Sequence, residues 1–93
     1  MSQADRIEAF WNAYYVALAA NVAANPQDYS LRPNETSAGF ASAAAAKMQR
    51  AVESSGGFSS VHYATSKAFK VAAKAVGVPF NLAGLNSLYE GAL

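Results

Sequence analysis

The chain has 93 residues, a formal net charge of +1, one histidine and no cysteine. That length can bury a core without covalent staples. The missing cysteines exclude a disulfide framework and thiol chemistry, and the lone His62 excludes a histidine- or cysteine-based metal centre within one chain.

No run of about 18 apolar residues occurs, so no transmembrane helix is expected, and Met1 to Asp5 lacks the basic start of a signal peptide. A cytoplasmic protein without membrane contact follows, built as one helical domain over residues 1–93. Alanine supplies 22 of the 93 residues. It is the best helix former, yet it buries little apolar area, so the core falls to a few large side chains and further burial by self-association is expected.

The first helix is predicted over about residues 3–24. Ser2 caps it, and Ile7, Trp11, Tyr14, Leu18 and Val22 follow the spacing of one helical face, with Phe10 beside it. Asn25-Pro26 stops it. Residues 25–36 form a connector that Tyr29 and Leu31 pin to the helices. A second helix follows, capped by Asn34 or Thr36 and running to about Ser54, where Ser55-Gly56-Gly57 ends it. Phe40, Ala44, Met48, Ala51 and Val52 make its apolar stripe.

Residues 58–65 fit either a helical turn or an irregular segment. A third helix covers about Ser66 to Val76 and stops at Gly77, with Val78 placed for the accompanying apolar contact. Asn81 caps a last helix through about Glu90. Without strand-like alternation anywhere, the fold class is all-α: a compact bundle of about four helices, the last two in a helix-turn-helix-like hairpin. That hairpin reads as a packing motif, because its second helix offers Asn81, Asn86, Ser87 and Glu90 but no arginine or lysine to reach bases or phosphates.

Two surfaces carry the functional expectations. Phe10, Trp11, Tyr14 and Tyr15 place four rings within six residues, and successive helical positions lie about 100° apart, so they cannot share one face. Core anchors are the simplest account of them. A protein-binding surface of Trp11, Tyr14 and Tyr15 is the alternative, since tyrosine and tryptophan are enriched in interface hot spots. The second surface is basic: Lys47, Arg50, Lys67, Lys70 and Lys74 are five of the seven cations, opposed there only by Glu53. It reads first as a solvated helix face. Its functional alternative is an anion, nucleotide or nucleic-acid site, with Thr65 and Ser66 at the start of the third helix and His62 or Tyr63 flanking a base or sugar.

The acidic residues are scattered at 5, 8, 28, 35, 53 and 90, and no nucleophile–base motif is present, so neither an enzyme nor a cofactor is expected. On FWNAYYVALAANVAANPQDY and SKAFKVAAKAVGV the chain resembles small uncharacterised helical proteins encoded by tailed phages of bacteria. The likeness implies a phage accessory or host-interference role in the host cytoplasm, and it carries no ligand or catalytic residue across. The resulting expectation is a non-enzymatic protein that binds a protein partner and forms a homo-oligomer. The alternative is a nucleic-acid or nucleotide/phosphate binder using the basic residues.

Overall fold

A computed structural model describes residues 2–60 and 67–91. Four α-helices are present among them: α1 Gln3–Ala24, α2 Ser37–Ser54, α3 Lys67–Val76 and α4 Leu82–Asn86. Short 3-10 turns cover Pro26–Tyr29 and Ser87–Tyr89. No strand occurs among the described residues, so the fold is an all-α bundle.

Three of the helices, α1, α2 and α4, begin on a polar cap. The Ser2 hydroxyl accepts from the Asp5 N–H at 3.1 Å, Thr36 from Gly39 at 2.9 Å, and the Asn81 side chain from Gly84 at 2.7 Å. The stops are equally local. At the end of α3 the Val78 N–H reaches back to the Ala73 carbonyl at 3.0 Å while Gly77 sits at φ +74°. Gly57 does the same to Val52 at 2.9 Å after α2, with Gly56 at φ +81°. These left-handed positions favour glycine because a Cβ would crowd the neighbouring carbonyl.

At about 1.5 Å per residue α1 runs roughly 33 Å, most of the molecule's 42 Å long axis. Both α2 and α3 pack chiefly against α1 and hardly touch one another. Flanked on two sides, α1 buries a wider arc than a single stripe. Phe10 becomes fully buried at its centre, and Ile7, expected on the main stripe, is only partly covered. Between the helices, alanines 41, 45, 68, 72 and 73 are buried and let the backbones approach closely.

The end of the chain leaves the third helix through the Gly77 turn into α4. The 3-10 turn that follows, Ser87–Tyr89, packs against α1. Three side chains of α1 reach toward the chain's second half. Gln3 Nε2 donates to the carbonyls of Leu88 (3.0 Å) and Glu90 (2.7 Å), Arg6 donates to the Val76 carbonyl at 3.3 Å, and Trp11 Nε1 donates to the Tyr89 hydroxyl. The Arg6 contact also places a cation at the negative end of the α3 dipole.

Candidate functional site

Three regions combine polar groups with apolar surface. The first is a polar chain that runs from the core to its partly exposed edge. Trp11 Nε1 donates to the Tyr89 hydroxyl at 2.6 Å; that hydroxyl donates to Glu53 Oε2 at 2.6 Å, and Gln49 Nε2 donates to the same oxygen at 3.1 Å. Burial pushes the Tyr89 phenol well above the usual tyrosine range. The Glu53 carboxylate pushes the same way, both by accepting its proton and by its charge, while the Trp11 donor works against them. Each member has a partner, and no buried polar side-chain atom among the described residues lacks one. The chain therefore ties α1, α2 and the last turn together.

The second is a cleft of about 450 Å3 between the C-terminal half of α1, the Pro26–Tyr29 turn, α2 and the start of α3. Tyr14, Leu18, Tyr29, Phe40, Ala44 and Met48 line it with apolar surface, and Asn21, Asn25, Asp28 and Lys67 add polar groups. The connector is fixed here as its sequence suggested: Tyr29 meets Phe40 edge-on at 5.7 Å, and both Tyr29 and Leu31 are partly buried against the core. The third is an open groove of about 790 Å3 along the N-terminal half of α1, completed by Gln49 of α2.

Trp11 and Tyr14 lie in the core, where the simplest account of the four rings puts them, and not on the exposed protein-binding surface of the alternative reading. Trp11 is 5% exposed, stacked on Phe58 at 5.9 Å and edge-on to Phe10 at 5.1 Å. Tyr14 is tilted against Phe69 at 4.7 Å and shows the solvent only one wall of the cleft. Burying large rings against one another is worth more than displaying them when alanine supplies so much of the remaining interior. Tyr15, the third of the set, is partly buried and keeps part of its surface in solvent.

All five expected cations, Lys47, Arg50, Lys67, Lys70 and Lys74, are exposed. They do not form one face. Lys47 and Arg50 lie on the side of α2 away from Ala41, Ala45 and Val52, which are buried. The three lysines lie on the side of α3 away from Ala68, Phe69, Ala72 and Ala73. Since both helices pack on α1, the charges divide into two outward patches. Lys67 alone also borders the cleft. His62, Tyr63, Thr65 and Ser66, which were to complete the anion site, lie outside the described residues.

Sequence reasoning did not single out Tyr89, Glu53, Gln49 or Asn86. Asn86 holds the backbone of Phe58 from both sides, accepting its N–H at 2.6 Å and donating to its carbonyl at 3.1 Å. Apart from Gln49–Glu53, an i,i+4 pair on α2, only tertiary proximity makes these contacts, and no spacing rule announces them. In comparisons with known proteins, no family model matches the chain, and no curated protein and no solved structure matches it either.

Proposed function

We propose that the chain is a non-enzymatic binding protein acting through protein–protein contacts, with self-association among them. The observation that supports this best is the cleft between α1, the Pro26–Tyr29 turn and α2. It is a concave surface of aromatic and aliphatic side chains with polar groups among them, sized for an apolar anchor side chain of a partner. The resemblance to tailed-phage proteins makes an accessory or host-interference role in the host cytoplasm part of the same proposal.

Ala44→Arg tests it, since position 44 is a partly buried wall of the cleft and a long cation there fills the space. A protein captured from bacterial lysate by the wild-type chain, with or without nuclease, and lost to this variant is the supporting result. Equal capture by both chains removes the cleft from the proposal.

A second reading draws on the five exposed cations and takes nucleic acid or a phosphate-bearing ligand as partner. Their division between two patches weakens it. It requires oligonucleotide binding that falls steeply with salt and disappears when the lysines are reversed to glutamate.

A further inference from the structure

Two exposed patches of the chain carry opposite charge beside apolar surface. On α3, Val71 is 52% exposed, one of two large apolar side chains left in solvent among the described residues. Lys67 and Lys74 stand one turn before and after it, and Lys70 adjoins it. The result is an exposed apolar side chain flanked along one side by cations.

The groove on α1 has the opposite character. Ile7 and the edge of Trp11 supply apolar surface, and Asp5 and Glu8, both exposed, line it with negative charge. Asn12 and Gln49 add uncharged hydrogen-bonding groups. The two patches are carried by different helices, so neither is its own complement.

We propose that a second copy of this chain docks its Val71 knob into the α1 groove, with Lys70 and Lys74 facing Asp5 and Glu8. The inference rests on the protein-binding reading above and supplies one partner, the chain itself. A modest, alanine-rich core gives such burial a stabilising role. Opposite charges around the apolar contact fix which patch meets which, and they repel knob from knob and groove from groove.

The test is the concentration dependence of mass, by sedimentation equilibrium of the full chain. Four samples are compared: wild type, Asp5→Lys/Glu8→Lys, Lys70→Glu/Lys74→Glu, and an equimolar mixture of the two variants. Circular dichroism first establishes that each is helical. The wild type is expected to self-associate and to weaken by about tenfold or more as salt is raised. Each variant alone becomes monomeric, and the mixture recovers association, because a reversed groove then meets a reversed knob. Val71→Glu, at a position outside the core, also abolishes association.

A monomeric wild type, variants that associate as the wild type does, or a mixture that fails to recover each overturns the proposal. Ala44→Arg lies on the other cleft and leaves the self-association unchanged. Loss of partner capture by that variant and loss of mass here therefore report on different surfaces.

Discussion

Trp11 and Tyr89 stand 78 positions apart and share a 2.6 Å hydrogen bond inside the core, indole N–H to phenol oxygen. The same phenol donates to Glu53 at 2.6 Å. One hydroxyl thus satisfies a buried donor on α1 and engages a carboxylate on α2, while its ring packs beside Phe58. The last turn of the chain is therefore part of the core.

Tyr89→Phe preserves the ring and removes both hydrogen bonds. The indole N–H of Trp11 is left without this acceptor, and the expected loss is about 1–3 kcal/mol of unfolding free energy. Urea denaturation followed by Trp11 fluorescence measures it directly, since Trp11 is the chain's one tryptophan. Tyr15→Phe is the matched control. Its ring is partly exposed, and the change should stay within about 0.5 kcal/mol.

The raised Tyr89 pKa predicts the response to alkali. An unfolded tyrosine ionises near pH 10, so above that the folded state holds a proton that the unfolded chain has released. The contribution of this group is complete below about pH 10 and is lost as pH rises toward the folded value. Stability should fall there by up to about 1.4 kcal/mol per pH unit from this residue. In Tyr89→Phe the decline should be shallower by that amount. Equal slopes for the two proteins between pH 10 and 12 would disprove the assignment.

The local chemistry of the chain was legible, and its long-range contacts were not. Ser2, Thr36 and Asn81 cap helices because their side chains reach N–H groups three residues away, a geometry contained in a few positions. Gly77 stops α3 for an equally local reason. The last helix was legible only in part. It is α-helical over Leu82–Asn86 and tightens into a 3-10 turn over Ser87–Tyr89, where the Ser87 hydroxyl donates to the Gly84 carbonyl at 2.5 Å. The burial of Phe10 over Ile7 depends on α1 having neighbours on two sides. The division of the cations depends on α2 and α3 sharing α1 as partner. Neither the Trp11–Tyr89–Glu53 chain nor the Asn86–Phe58 pair leaves a periodic trace, because spacing reports on one helix at a time.

Gly84 is buried in α4 against the turn that precedes it. A Cβ built there runs into the Pro79 carbonyl, a backbone group that cannot rotate away. Gly84→Ala should therefore cost about 1–3 kcal/mol despite the better helix propensity of alanine. Gly39→Ala makes the useful comparison. Its nearest obstacle is the Thr36 hydroxyl, a side-chain atom, and the position is exposed, so its thermal midpoint should fall by less.

Asn86 offers a sharper test, because its two hydrogen bonds require an acceptor and a donor in fixed places. Oδ1 takes the Phe58 N–H and Nδ2 gives to the Phe58 carbonyl. Asn86→Asp keeps the shape and the acceptor but sets a carboxylate oxygen against that carbonyl oxygen. The loss at neutral pH should be about 1–3 kcal/mol. Protonation restores a donor, so the folded state raises the pKa of the new acid above its unfolded value. The stabilising contribution of that proton is then present at low pH and is lost as pH rises through the folded pKa. Asn86→Asp should therefore recover stability relative to wild type as pH falls through the raised folded pKa, with the recovery complete below about pH 4, whereas Asn86→Ala, lacking any titrating group, should not. Parallel pH profiles for the two variants would mean that the amide donor to Phe58 contributes nothing to holding that ring against Trp11.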